Sequence, residues 1–132
     1  MNNFLNKIFG HGKFMPPENI QQRLLEKFPE TVNVEWNKTG KNFEAIFYKD
    51  QLEYIAIIDF SGKLLEYKMS LSEDLLPQQI KENLLQKGEI MNAVLINKGN
   101  AISYEVIIRN KSLTRFMIIL NETGITISER QL

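Results

Sequence analysis

The chain contains the same succession of residues twice, about 60 positions apart. The segment from Pro17 to Leu25 (PENIQQRLL) returns from Pro77 to Leu85 (PQQIKENLL). Further along, residues 43–45 (FEA) match 104–106 (YEV), and residues 59–62 (DFSG) match 121–124 (NETG). An internal repeat limits the possible architectures strongly, because both copies must fold in the same way. The sequence therefore predicts two repeats, residues 16–72 and 73–132, preceded by an N-terminal segment at residues 1–15.

The length bounds the number of domains. In a chain of 132 residues each repeat has about half the length, and a unit of that size is only marginally stable alone. We therefore expect the repeats to share a core, which makes residues 16–132 a single domain. Apolar residues make up 43% of the chain and charged residues 24%, as is typical of globular proteins.

Charge and composition exclude several kinds of partner and chemistry. Sixteen basic residues balance sixteen acidic residues, so the chain lacks the positive excess on which nucleic-acid binding depends. It contains no cysteine, which excludes disulfides and thiolate catalysis. No apolar run reaches the roughly 18 residues of a membrane span. No export signal is recognisable after Met1, which predicts a cytoplasmic location.

Each repeat begins with a predicted helix. Ile20 and Leu24 follow the spacing of an apolar helical face, and Pro29 ends this helix, because the residue before a proline avoids helical geometry. The second helix has the same spacing over residues 80–85 and ends at Gly88.

Four strand-like segments follow each predicted helix. Residues that favour turns separate them, and such short connections join antiparallel neighbours because a parallel crossover needs a dozen residues or more. The predicted strands are Thr31–Asn37, Asn42–Lys49, Leu52–Phe60, Lys63–Met69, Met91–Asn97, Ile102–Asn110, Leu113–Asn121 and Ile125–Arg130. The predicted fold is α+β: tandem α-β-β-β-β repeats forming an antiparallel sheet of up to eight strands, with two helices packed on one face.

Alternation along the strands predicts which side chains face the helices. These are Val34, Trp36, Phe43, Ala45, Phe47, Tyr54, Ala56 and Ile58, followed by Val94, Ile96, Tyr104, Val106, Ile108, Phe116, Ile118 and Leu120. The intervening positions should be polar if the other face is solvated. Glu44 and Glu105 fit this rule, and we expect them to pair across strands with basic residues such as Arg109 and Arg115.

Some intervening positions are apolar instead, and they form the candidate functional site. They are Ile46, Tyr48, Ile55, Ile57, Ile107, Met117 and Ile119. An apolar surface opposite the helices must be covered or must bind something. Three interpretations stay open: coverage by the N-terminal segment or by curvature of the sheet, self-association, and binding of a protein or apolar ligand. Within the N-terminal segment, Phe4, Leu5, Ile8 and Phe9 have helical spacing.

The sequence contains no pattern typical of catalysis or metal binding. His11 is the only histidine, and no second histidine or cysteine could complete a metal site of the usual kind. The segments beginning at Asp59 and Asn121 resemble fragments of a calcium loop but lack its ligands. We interpret both as hairpin turns with glycine at a position of positive φ. No enzymatic activity, cofactor or metal is expected.

The order of these segments resembles a known family. Residues 28–36 (FPETVNVEW), 43–47 (FEAIF), 58–63 (IDFSGK) and 76–80 (LPQQI) are similar to the PepSY-like, β-lactamase-inhibitor-like proteins found mainly in Bacteroidetes. The similarity extends from about Pro16 to Arg130. It implies a tandem helix-plus-antiparallel-sheet fold without catalytic residues. Members of this family are usually exported to the periplasm.

The resulting functional prediction is a non-catalytic binding module. Its open sheet face would bind an unknown protein partner, in the manner of an inhibitor or accessory protein, or a second copy of the chain. The alternative is a carrier that holds a small apolar ligand between the sheet and the N-terminal segment.

Overall fold

The structure is a computed structural model that describes residues 14–132. Its elements are α1 (Glu18–Lys27), β1 (Val32–Thr39), β2 (Asn42–Lys49), β3 (Leu52–Ile58), β4 (Leu64–Leu71), a 3-10 helix (Glu73–Leu75), α2 (Gln78–Lys87), β5 (Glu89–Lys98), β6 (Ala101–Arg109), β7 (Arg115–Asn121) and β8 (Thr126–Gln131). The strands form one antiparallel sheet in chain order, which confirms the predicted α+β class. The chain divides into two compact units, the first ending at Tyr67 and the second extending from Lys68 to Leu132.

The boundaries of the strands differ from the predicted ones by no more than about two residues, a difference usual at the ends of elements. The strand β3 ends at Ile58 because Asp59 begins a turn. The 3-10 helix before α2 was not predicted. Pro17 and Pro77 stand immediately before the first helical residue, and their carbonyl oxygens accept the first helical hydrogen bonds.

The core of the first unit contains α1 and one side of β1, β2 and β3. Ile20 and Leu24 of α1 are buried. The strand residues buried with them are Trp36, Phe43, Ala45, Phe47, Tyr54, Ala56 and Ile58. The predicted helix-facing set is thus confirmed for this unit except at Val34, which is half-buried where the register of β1 shifts.

An aromatic cluster holds the end of α1 against the strands. The ring of Phe28, the residue after the helix, lies 5.2 Å from that of Phe47, 5.6 Å from that of Tyr54 and 5.2 Å from that of Tyr67. Phe47 and Tyr54 are cross-strand partners, and their rings are stacked 5.2 Å apart. Aromatic pairs of this kind stabilise a core beyond the area that they bury.

The end of α2, in the second unit, is held by a close backbone contact and not by an aromatic cluster. Gly88 follows α2, and a Cβ atom at this position would lie 2.5 Å from the carbonyl oxygen of Arg109. The φ of Gly88 is 166°, which is extended backbone that other residues also adopt. Glycine is therefore required here because the backbones of α2 and β6 approach closely. The core beside it contains Ile80 and Leu84 of α2.

The prediction that Val94 and Ile96 face the second helix is wrong. The two-residue turn Gly99-Asn100 pairs Lys98 with Ala101, and this register places Ala93 opposite Val106 and Leu95 opposite Tyr104. Val106 and Tyr104 are buried in the core beside α2, so their partners on β5 lie on that side as well. A displacement by one residue moves every side chain of a strand to the other face. The prediction failed because the faces of β5 were assigned as the repeat equivalents of β1, whereas its pairing with β6 gives the opposite alternation.

Three hairpin loops share one hydrogen-bond pattern. In each loop Oδ1 of Asp59, Asn110 or Asn121 accepts hydrogen bonds of 2.9–3.0 Å from the backbone N–H groups two and four residues later. The fourth residue has a positive φ, +94° at Gly62 and +92° at Gly124. This confirms the interpretation of both segments as turns with glycine at a position of positive φ.

The carboxylate of Asp59 gives the first of these loops a pH dependence. The side-chain hydrogen bond from Ser61 (2.6 Å) and the backbone bond from Lys63 lower the pKa of Asp59 below its ordinary value of 3.8. The ionised carboxylate of Asp59 therefore stabilises the folded state fully above pH 3.8. This stabilisation is lost as the pH falls through the lower pKa that Asp59 has in the folded state. We expect Asp59→Asn, which keeps the acceptor oxygen, to lose less stability than wild type between about pH 5 and pH 2 in urea denaturation. Glu73→Gln, at an exposed carboxylate whose side chain makes no hydrogen bond or ion pair within residues 14–132, is the control and should follow the wild-type curve.

Leu113 occupies, in the loop after β6, the position of Gly62 and Gly124. Its φ is +65° and its side chain is 71% exposed. Because a Cβ atom costs about 1–2 kcal/mol in this region, Leu113→Gly should raise the free energy of unfolding by about 0.5–1 kcal/mol. Leu85→Gly on α2 is the matched control and should lower it by about 1 kcal/mol. Urea denaturation measures both, and a loss of stability in both variants would contradict strain at Leu113.

Candidate functional site

The four candidate residues of the first unit lie together on β2 and β3. Ile46 and Ile55 are direct cross-strand partners, and Tyr48 and Ile57 follow them at alternate positions. All four alternate with residues that are buried beside α1, so they lie on the opposite side of these strands. The isoleucines are half-buried, and Tyr48 is 45% exposed.

Val32 belongs to the same group, although the sequence pattern did not predict it. It is 54% exposed and is the cross-strand partner of Tyr48. Simple alternation from Trp36 assigns Val32 to the helix side. The register of β1 shifts between Val32 and Glu35, and Asn33 has a φ of +56°, so the alternation changes there. Val32 and the four candidate residues are called the first patch.

Three carboxylates lie on the same side of the strands as the first patch. They are Glu35, Glu44 and Glu53, the cross-strand partners of Ile46, Ile57 and Tyr48. Lys38 and Lys49, the lysines of β1 and β2, occupy the alternate positions on the α1 side. There Nζ of Lys49 donates a hydrogen bond of 2.6 Å to the carbonyl oxygen of Pro29. The charged strand residues on the side opposite α1 are therefore acidic across β1, β2 and β3.

The three candidate residues of the second unit also lie together. Ile107 and Met117 are direct cross-strand partners, and Ile119 lies on the same side of β7. The corrected register of β5 adds Val94 and Ile96 to this side, away from α2. All of these residues are half-buried. Together they are called the second patch.

Arginines border the second patch. Arg109 and Arg115 are direct cross-strand partners, and Arg130 lies opposite Met117 with its Nη2 3.7 Å from the sulfur. Arg109 forms its ion pair with Glu89, at 2.9 Å, and not with Glu44 or Glu105 as predicted. Like charges directly opposite each other destabilise a sheet, so the pair of Arg109 and Arg115 costs stability.

One of the three open interpretations has Phe4, Leu5, Ile8 and Phe9 cover the sheet. These residues lie outside the described residues, as does His11. Phe14 is described, and its ring is stacked on that of Phe43 with centroids 6.0 Å apart. Phe43 is buried on the α1 side of the strands, so Phe14 is not part of the first patch.

Groups of metal ligands and clefts are the other features that could form a site. Within residues 14–132, no group of three or more histidine, aspartate or glutamate side chains could hold a metal ion. A cleft of about 330 Å³ lies between the end of α2 and the loop after β6. It is lined by Leu85, Gln86, Lys87, Gly88, Asn110, Lys111 and Ser112 and contains no residue of either patch.

Solved structures with a similar fold come from Bacteroides species. A BLIP-like protein from Bacteroides fragilis has a TM-score of 0.77 and 18% identity over 92% of this chain and 89% of that chain. A DUF2874 family protein from Bacteroides ovatus has a TM-score of 0.76 and 14% identity over 89% of both chains. A candidate periplasmic protein from Bacteroides eggerthii has a TM-score of 0.77 and 10% identity over 89% of this chain and 90% of that chain. Identities this low show a common fold alone.

No protein-family profile and no curated protein sequence matches the chain. The structural similarity therefore supports a BLIP-like fold, while the PepSY-like assignment stays a prediction. The names of the similar proteins carry no enzymatic activity. They give no support to a cytoplasmic location. In the described part of the chain, no helix combines the length and the apolar character that crossing a membrane requires.

Substitutions at Ala93 and Val94, two neighbouring residues of β5, test whether Val94 belongs to the second patch. Ala93 is 1% exposed on the α2 side, whereas Val94 is half-buried on the other side. Ala93→Asp should lower the free energy of unfolding by about 3 kcal/mol, because it buries a charge without a partner. Val94→Asp should lower it by about 1 kcal/mol or less. Urea denaturation compares the two variants, and the opposite order would remove Val94 from the second patch.

Proposed function

We propose that the protein is a non-catalytic protein-binding module, inhibitor-like or accessory in role, which holds its partner on the first and second patches. The observation that carries this proposal is the position of the patches. In each unit, apolar side chains line the side of the strands opposite the helix, at positions where a solvated antiparallel sheet is usually polar.

The composition of the patches suits protein binding. Most of their residues are β-branched, with few rotamers, and cross-strand pairing orders the backbone beneath them. A partner that packs on them would therefore lose little side-chain entropy. Each patch also combines apolar and charged side chains, as protein interfaces do: Glu44 lies opposite Ile57, and Glu105 lies opposite Val94 and Ile119.

The comparisons support the same class of function. The chain shares its fold with a BLIP-like protein, and its sequence segments resemble those of β-lactamase-inhibitor-like proteins. We propose on this basis that the two repeats present two binding surfaces of one type.

A carrier of small apolar ligands would need an enclosed apolar cavity, and the described cleft is bordered by polar and charged side chains.

Lysine substitutions within the patches test this function. Ile57→Lys and Ile119→Lys each place a charge in the centre of a patch and should reduce capture of the partner at least about tenfold. The measurement is affinity capture from the native cell, quantified by mass spectrometry. Leu25→Lys and Leu85→Lys, at helical leucines that are 51% and 45% exposed, are the matched controls and should capture as wild type does.

Urea denaturation of all four variants separates loss of binding from loss of folding. Unchanged capture by both patch variants, or equal losses in the helix variants, would contradict binding through the patches.

A further inference from the structure

We infer that Glu44 and Glu105 each bind a basic side chain of the protein partner, which therefore presents arginine or lysine between apolar residues. The inference rests on the proposed function, since it states the chemistry of the protein that the two patches hold. It is carried by the equivalent position of the two carboxylates in the repeat and by their apolar neighbours on the adjacent strands.

The two carboxylates occupy the same place in the two units. Residues 43–45 (FEA) and 104–106 (YEV) are equivalent in the repeat, and each segment contains one glutamate. Each glutamate lies on a strand that pairs on both sides, β2 in the first unit and β6 in the second. Both alternate with residues that are buried beside the helix, and both are half-buried on the opposite side. The same carboxylate is thus placed within an apolar surface twice.

Apolar side chains flank both carboxylates. Glu44 is the direct cross-strand partner of Ile57 on β3. Glu105 is the direct partner of Val94 on β5 and of Ile119 on β7. A protein that packs on these apolar residues must therefore also cover the carboxylate beside them and remove its water.

Among the described residues, neither unit supplies a cation to its carboxylate. Glu44 accepts a hydrogen bond of 3.4 Å from the amide of Asn37, which carries no charge. Within the described part of its own unit Glu44 forms no ion pair, and the same is true of Glu105. The arginine of β6, Arg109, pairs with Glu89 instead, at 2.9 Å. A basic group of the partner would therefore meet no competing cation from the same unit at either carboxylate.

Covering these carboxylates selects among partners. Removal of water from a carboxylate is costly unless a hydrogen-bond donor, above all a charged one, takes the place of that water. A wholly apolar partner would leave the charge unpaired, and an acidic partner would add repulsion. Arginine fits best, because its planar guanidinium can donate two parallel hydrogen bonds to one carboxylate. The apolar residues of the patches thus supply contact area, whereas Glu44 and Glu105 decide which surfaces can bind.

Two blocked tripeptides serve as defined probes of the full chain. One is isoleucine–arginine–isoleucine, and in the other citrulline, an uncharged residue of almost the same shape, replaces arginine. Methyl NMR spectra of the protein with isotope-labelled isoleucines report binding at Ile57 and Ile119 separately. We expect the arginine peptide to bind at least about tenfold more tightly than the citrulline peptide at both positions. Equal affinities for the two peptides, or no shift at either isoleucine, would overturn the inference.

Single substitutions locate the preference for arginine. Glu44→Gln removes the charge and keeps the size of the side chain, so it should abolish the preference at Ile57 and leave it unchanged at Ile119. Glu105→Gln should do the reverse. Each variant is thus the control for the other, and a response at the unaltered patch shows that the chain is folded. Loss of the preference at both positions in both variants, or at neither, would contradict the roles assigned to the carboxylates.

Failure of this inference can be distinguished from failure of the proposed function. If the two peptides bind equally while Ile57→Lys still reduces capture of a protein from the native cell, the role of the carboxylates is wrong and the binding module stands. If neither peptide binds, and Ile57→Lys and Ile119→Lys leave capture unchanged, both proposals are wrong.

Discussion

The register of the hairpins is the constraint on which the surface of this protein depends. Side chains in a strand alternate with a period of two residues, so the pairing of one residue decides the side of all the others. The turn at Gly99-Asn100 pairs Lys98 with Ala101 and thereby places Ala93 on the core side of β5. Val94 then lies on the other side, and the second patch follows from that assignment.

Burial on one side of the strands creates the opposite surface. The helices cover side chains such as Phe47 in the first unit and Val106 in the second, both fully buried. The helix ends are held differently, by the aromatic cluster around Phe28 and by the close approach of Gly88 to the backbone of Arg109. Both arrangements fix a helix on one side only, which leaves the alternate residues for other contacts.

The distribution of charge over the patches links the fold to the proposed function. The net formal charge of the chain is zero, and composition alone therefore indicates no charged partner. The strand register decides which charges lie beside each patch: Glu44 is the cross-strand partner of Ile57 in the first patch, and Glu105 is the partner of Val94 and Ile119 in the second. Glu44 and Glu105 occupy equivalent positions of the repeat (FEA and YEV) and place a carboxylate beside the apolar residues of both patches.

Local patterns in the sequence were sufficient to predict the helices, the strands, the turn glycines and most of the candidate site. Alternation between turns is a local property, and it found Ile46, Ile55, Ile57, Ile107, Met117 and Ile119. Val32 and Val94 required the tertiary structure, since a register shift in β1 and the pairing of β5 with β6 change the alternation there. Ion pairs such as that of Arg109 with Glu89 also required it. These features depend on hydrogen bonds and contacts between strands, which the order of residues within one strand does not specify.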